Sequence, residues 1–489
     1  MPLPIARNTR CQWNLVRSPF RILAAGLLGL VCLIALIRRS DAQEAPQTSP
    51  SPPTRSAGVE EAPPATAVST AHREPEDRAE LGAFVDGVMT AHMKDKHIAG
   101  ATFAMVVDNQ PYYAKGYGLA DVSANRAVDP ETTMFRIASV SKLFTWTAVM
   151  QLAEQGQLDL DADVNNYLTE FKIPATYPEP ITLKHLLAHT PGFEDHVIGL
   201  FARSSDAIEP LGKLLARELP ARVRPAGQLA SYSNHGTALA GYIVSQVSGM
   251  PWEDYIEQRI LAPLEMRHTT VRQPAADVLP AEMSHGYHFA RGKYEDKGFE
   301  YVPAAPAGSM ASSAGDMVKF MLAHLQNGRY GSARILQEET ARKMREMLFT
   351  HDPTLAGMAY GFMRMTYNGE EVVQHGGDTF LFHSYFVMLP QRNAGFFVSY
   401  NTDTAGGARE KLFEALLDRY YPPRDVPAVQ TAAKFQDTLA RYVGSYGAIR
   451  HSYTSIVKLG ALFGVVEVGT DGDTLVLQGG SAARRFTEV

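Results

Sequence analysis

Ser139 and Lys142 stand three residues apart in FRIASVSKLFTW. The apolar run after them, from Leu143 and Phe144 to Leu152, has only Thr145, Thr147 and Gln151 as neutral polar interruptions. At i and i+3 on a helix, both side chains share one face. A serine in the first turn keeps its backbone N–H unpaired near the positive end of the helix dipole, which suits a developing oxyanion. A lysine in apolar surroundings has a lowered pKa, so it can take the hydroxyl proton near neutral pH. The pair reads as an activated nucleophile. A second Ser-x-x-Lys, Ser455 and Lys458 in SIVK, reads as strand, where i and i+3 face opposite ways, and is set aside.

Two further motifs carry polar groups that can serve such a nucleophile. In ASYSNHG, Tyr232 and Asn234 lie just ahead of an apolar helix pattern. A phenol beside an ammonium has a depressed pKa, so Tyr232 can share or take over the base role and later protonate a leaving group. Asn234 can bind a substrate carbonyl; the plainer reading is a helix cap beside a loop tyrosine. In VQHGGDTF, His375, Gly376, Gly377 and Asp378 sit where one strand ends and the next begins. Paired glycines let a substrate lie along a strand edge, and the amide of Asp378 can complete an oxyanion hole with that of Ser139. The plainer reading is a Gly-Gly hairpin turn. His189, in LLAHTPGF, reads as a structural histidine near a helix end.

The elements that must position these groups follow from periodicity. LGAFVDGVMTAHM is an amphipathic helix. GATFAMVVDNQPYYAKGYG is two strands around a turn at Asp108 to Pro111. The helix that Ser139 opens stops at Gly156, and Thr182 caps a short helix ended by Pro191-Gly192. GTALAGYIVSQVSG, PWEDYIEQRIL and MVKFMLAHLQNG add helices, the last after the small-residue loop PAAPAGSMASSAGD. EVVQH, TFLFHSYFVMLP and AGFFVSYN are late strands, and REKLFEALLDRYY is a closing helix. Late strands with short turns imply an antiparallel sheet flanked by terminal helices, with a mostly helical insertion: an α+β plan of two lobes and a seam.

Ser-x-x-Lys, Tyr-x-Asn and His-Gly-Gly in that order, with GYGLAD, LLAHTPGF and PAGSMASSAGD around them, resemble the penicillin-recognising serine hydrolases. That family comprises class C β-lactamases, Ser–Lys DD-peptidases and class VIII carboxylesterases, and the likeness covers roughly Leu81 to Tyr421. It implies a β-lactamase/transpeptidase-like α+β fold, an α/β sandwich beside an all-helical lobe, with the site at the seam. Ser139 becomes the nucleophile, Lys142 and Tyr232 the proton carriers, and Asn234, His375, Gly376, Gly377 and Asp378 the substrate-binding set. Two departures matter. Class C β-lactamases carry Lys-Thr-Gly where this chain has His375 and Gly376, which removes a permanent cation for a substrate carboxylate and a hydroxyl that orients it. HTPGF also differs from the family's usual His-Thr-Ser-Gly-Leu. The resemblance thus implies an acyl-enzyme hydrolase of esters or D-amino-acid peptides with weak β-lactamase activity. A true β-lactamase, or a non-catalytic envelope receptor for peptidoglycan or β-lactams, stands as the alternative. No metal or cofactor is implied, and the partner is a small ester, peptide or β-lactam.

The chain has 489 residues, 45% hydrophobic and 20% charged, enough for a large core. Net charge is −6 although the first 39 residues carry six arginines and no acid; the body is therefore more acidic than the whole, which argues against nucleic acid as partner. Ile22 to Ile37 is an uncharged apolar stretch behind arginines. As a helix it would span about 24 Å, short for a hydrocarbon core of roughly 30 Å. Residues 1–42 are thus expected to be a signal peptide or a retained membrane anchor, and both place the body in the periplasm or cell envelope. Both cysteines, Cys11 and Cys32, fall inside it. Residues 43–77 read as a Pro/Ala/Ser-rich tether, 78–424 as the hydrolase domain and 425–489 as a small β-rich appendix to which no chemistry is assigned. The appendix ends on RRFTEV without turn or cap, the pattern of an incomplete β unit.

Overall fold

The computed structural model describes residue 75 and residues 77–486, with breaks at 275–278, 354, 424–438, 473 and 479–483. The expected signal or anchor segment, residues 1–42, and most of the expected tether, 43–77, lie outside the described residues. Among the described residues no helix is long and apolar enough to cross a membrane.

An eight-stranded antiparallel sheet organises the body. Its main strands are β1 (Gly100–Val107), β2 (Gln110–Asp121), β3 (Met363–Tyr367), β4 (Glu370–Asp378), β5 (His383–Leu389) and β6 (Ala394–Tyr400). Their spatial order is β3-β4-β5-β6-β1-β2, closed at the two edges by the short strands Gly357–Met358 and Arg126–Ala127. The early hairpin thus pairs with the last strand of the chain, Phe103 opposite Val398. Asp108 and Asn109 form the whole β1–β2 turn, both at positive φ, as a two-residue hairpin loop of matching twist requires. Pro111 lies inside β2, where the register slips between Met105 and Val106. A proline that cannot donate is tolerated at such a bulge.

Strand alternation divides the core into two faces. Phe103, Met105, Phe396 and Val398 meet Leu81, Val85 and Met89 of α1 (Arg78–Asp95), while Leu412, Phe413 and Leu416 come from the closing helix Ala408–Tyr420. Ala104, Val106, Phe386 and Phe397 face the other way, into the larger core shared with the helical lobe. There α2 (Ser141–Glu154), α3 (Asn234–Ser248) and α4 (Ala314–Leu325) pack together. Phe144 of α2 stacks on Phe320 of α4 at 4.0 Å between ring centroids. The α+β plan of an antiparallel sheet flanked by terminal helices, with a helical insertion between strands, is what the chain adopts.

The appendix forms a four-stranded antiparallel sheet from Gly444–Tyr446, Val466–Asp471, Thr474–Gln478 and Arg484–Phe486. One expectation fails here. SIVK is not strand: Ser455 caps a 3-10 helix, Ile456–Phe463, by accepting from the amide of Val457. Its Oγ also bonds that of Ser452 at 2.7 Å, and Lys458 is exposed. The hydroxyl of this second Ser-x-x-Lys serves the local turn.

Candidate active site

Ser139 does not lie in the first turn of the long helix, as its spacing suggests, but in a 3-10 turn, Ala138–Val140, that leads into α2. Ala138 holds a positive φ of 49°, a conformation that costs a non-glycine residue energy and re-aims the next side chain. Lys142, wholly buried one turn on, places Nζ 3.0 Å from Ser139 Oγ. It also donates to the carbonyl of Ala307 at 2.6 Å. That carbonyl belongs to the small-residue loop, which is tied across the helix start by three more bonds. Thr145 donates to the Pro306 carbonyl, the Met310 amide to Ser141 Oγ, and the Ile137 amide to the Met310 carbonyl. Burial, with the charge of Arg450 second, pushes the Lys142 pKa well below its usual value. Among the described residues no carboxylate pairs with it. A buried amine without a counter-ion discards its proton.

Tyr232 comes from the loop before α3, and its ring centroid lies 4.9 Å from Lys142 Nζ. The three groups of the expected triad are therefore brought together. The electrostatic argument for the phenol is corrected, however. Burial raises the Tyr232 pKa above its ordinary value, and neighbouring Ser139 offsets only part of that rise. The expected depression assumed an ammonium at 142; a neutral amine exerts no such pull. Resting Tyr232 is thus a protonated phenol, and its hydroxyl has no partner of good geometry among the described residues.

His189 turns out to be the floor beneath that tyrosine. At positive φ (54°) just past the short helix Leu183–Leu187, it lies against Tyr232 with ring centroids 4.4 Å apart and planes tilted by 31°. Its Nδ1 accepts from the amide of Ser233 at 3.1 Å, and its carbonyl accepts from the amide of Ser231 at 2.7 Å. The residues on both sides of Tyr232 are thereby tethered. Ser233, not Asn234, caps α3, accepting from the Gly236 amide at 3.0 Å. That leaves the Asn234 side chain to line the cleft.

The third motif lies on β4, not in a turn: His375, Gly376, Gly377 and Asp378 pair with Phe386, Tyr385, Ser384 and His383 of β5. β3 pairs only as far as Gln374, so from His375 onward β4 has a free edge on its other side. His375 is buried, and its Nδ1–H donates to the Gly376 carbonyl at 2.6 Å, a carbonyl being able only to accept. Burial lowers its pKa to about 3, so it is neutral and supplies no cation. The carboxylate of Asp378 is held by Arg409 at 2.8 and 2.9 Å and by His383 at 2.7 Å. Only its backbone is left for a substrate.

Ser139, Tyr232, Asn234, His375, Gly376 and Asp378 line one cleft of about 500 Å³. Leu200, Phe201, Tyr385, Arg409 and Arg450 are among its other lining residues, and no local motif marked any of these. Arg450 comes from the appendix, to which no chemistry is assigned, and its guanidinium lies over the Tyr232 ring, 4.9 Å from the centroid.

The chain is 29% identical over 338 residues to Protein flp of Staphylococcus aureus (strain MRSA252), covering 65% of this chain and 63% of that protein. The chain thus spans less than two thirds of that relative. It is 26% identical over 394 residues to penicillin-binding protein 4 of Amycolatopsis lactamdurans, covering 76% of this chain and all of that one. The octameric penicillin-binding protein homologue from Pyrococcus abyssi shares the fold, with a TM-score of 0.60 at 23% identity over 83% of this chain and 90% of that one. The model of the Beta-lactamase family matches residues 85–420, most of the chain, and the protein belongs to that family, a beta-lactamase-fold serine hydrolase family.

Proposed function

We propose that the protein is an acyl-enzyme hydrolase with Ser139 as nucleophile and neutral Lys142 as its base. The observation that carries this is a fully buried amine 3.0 Å from the hydroxyl with no carboxylate paired to it among the described residues. Ser139 Oγ bonds to the substrate carbonyl carbon as its proton passes to Lys142. The carbonyl oxygen is received by the amides of Ser139 and Asp378, on the free edge of β4. As the bond to the leaving group breaks, that group takes the proton of Tyr232, and the Lys142 ammonium returns one to the phenolate. Water then attacks the acyl carbon, giving one proton to Lys142; the bond from that carbon to Ser139 Oγ breaks as Lys142 passes the proton on to Oγ, releasing the acid and restoring serine and neutral lysine. Asn234 and His375 position the acyl group.

The substrate is an ester or a D-amino-acid peptide, with β-lactams turned over slowly. A neutral histidine at 375 supports this ranking, because it cannot grip a β-lactam carboxylate as a lysine would. Export by residues 1–42, to the periplasm or cell envelope, belongs to the same proposal and rests on the arginine-flanked apolar run.

The test is incubation with a fluorophosphonate or a labelled penicillin, read by intact mass. An adduct that disappears in Ser139→Ala supports the enzyme. No adduct on folded protein overturns it and favours a non-catalytic receptor.

A further inference from the structure

The appendix reaches the cleft by a built attachment. Glu194 and Asp195, directly after the His-Thr-Pro-Gly-Phe run, are both nearly buried. Glu194 accepts from the amides of Tyr453 and Thr454 at 2.5 and 2.8 Å, from Ser452 Oγ at 3.3 Å, and from the Thr454 hydroxyl. These bonds hold its carboxyl below the usual range despite partial burial. The Asp195 amide donates to the His451 carbonyl at 3.1 Å. Arg224 donates to the Ile449 carbonyl at 3.2 Å and to Tyr453 Oη at 2.8 Å. Residues 449–454 are thus strapped to the helical lobe from both sides, and the side chain they deliver to the cleft is Arg450.

Two arginines line the cleft. Arg409 is fully engaged, by Asp378, Glu410 and the carbonyls of Gly377 and Ser384. Arg450 uses only Nε, on Asp195 at 2.9 Å. No described residue bonds its two terminal nitrogens. Its guanidinium lies over the ring of Tyr232; on the acyl-enzyme reading, in which Tyr232 hands a proton to the departing fragment, that is the leaving-group side of the cleft.

We propose that Arg450 is a specificity-determining residue that binds a free carboxylate carried by the leaving group, giving the hydrolase a carboxypeptidase-like preference. This rests on the acyl-enzyme reading above. The cation absent at position 375 is replaced by one from the other end of the fold. A guanidinium fork suits a carboxylate.

Two phenylacetyl-glycyl esters test this, with 3-hydroxybenzoate or 3-hydroxybenzamide as leaving group. They differ only in that charge. Wild type favours the carboxylate in kcat/KM by about 10- to 100-fold, and the preference shrinks with added salt because Arg450 is partly exposed. Arg450→Gln brings the ratio near one, and Arg450→Lys retains part of it, which a merely structural role would not produce. Arg450→Lys carries the test should the Gln variant not fold. A ratio unchanged in the variants, or a wild-type ratio at or below one, overturns the proposal while leaving acyl-enzyme chemistry standing. Failure of Ser139 to form any adduct overturns both.

Discussion

Gly377 and the carbonyl of Ile137 are packed so closely that a Cβ on the glycine would stand 2.2 Å from that oxygen and 3.2 Å from the amide nitrogen of Ser139. Free backbone angles are not the issue; the glycine is there because β4 presses against the turn that carries the nucleophile. Gly376 differs: a Cβ there would meet the Arg409 guanidinium at 3.3 Å, a side chain that can shift. Gly377→Ala is therefore expected to cut kcat/KM by about 100-fold or more by pushing the strand from the turn, and Gly376→Ala much less. Steady-state kinetics beside thermal melts check the contrast; equal losses would show that the glycines act otherwise.

Tyr232 begins the cycle protonated, so its contribution falls on leaving-group departure. Tyr232→Phe should slow hydrolysis of an amide by about 10²- to 10³-fold. A p-nitrophenyl ester, whose leaving group departs without a proton, should be slowed far less. Comparing kcat for the two substrates decides; a uniform loss would move the tyrosine into the acylation base.

Acylation needs neutral Lys142. Its kcat/KM profile should rise with pH through the lowered lysine pKa and fall away on the acid side. His375, with a pKa of about 3, stays uncharged from about pH 5 upward and adds no inflection there. His375→Asn should change the height of the profile and leave its shape. Lys142→Arg, which cannot give up its proton, should lose about 10³-fold at every pH.

His324 offers a stability prediction away from the chemistry. It is wholly buried, within 4.6 Å of the Phe320 ring and 5.3 Å of the Phe362 ring between centroids. Burial lowers its pKa from 6.5 to about 3. Between those values the unfolded chain binds the proton and the folded one does not, so stability rises with pH across that window. It is lost as pH falls from about 6.5 toward about 3. The melting temperature should drop accordingly on acidification, and the drop should be shallower in His324→Phe.

The strap should be worth measuring too. Glu194→Ala removes the acceptor of four bonds and leaves the amides of Tyr453 and Thr454 unsatisfied, so a loss of about 1–3 kcal/mol is expected in denaturant titration. Unchanged stability would mean that the strap is held elsewhere.

The sheet, the helical insertion and the Ser139, Lys142 and Tyr232 constellation were legible because each depends on local signals: period-2 and period-3.6 patterns, caps, and motifs a few residues long. What was not legible depends on distance. Arg450 enters the cleft only because Glu194, Asp195 and Arg224, more than 220 residues earlier in the chain, grip its neighbours. The direction of the Tyr232 shift was misjudged for a related reason: whether Lys142 is charged depends on how dry its surroundings are, and no spacing reports that. Ser455 and Lys458 were dismissed on strand geometry that the segment does not have.

Lys142 is a base because it is kept dry, and among the described residues no carboxylate is paired with it to steady the proton it takes. The charge it gains in acylation is balanced first by the oxyanion of the substrate itself and then by the Tyr232 phenolate. The ion pair therefore lasts no longer than the tetrahedral intermediate and the departure of the leaving group. Once the phenolate has its proton back the seam is neutral again, and a sluggish acyl group waits for water beside a base that is already free.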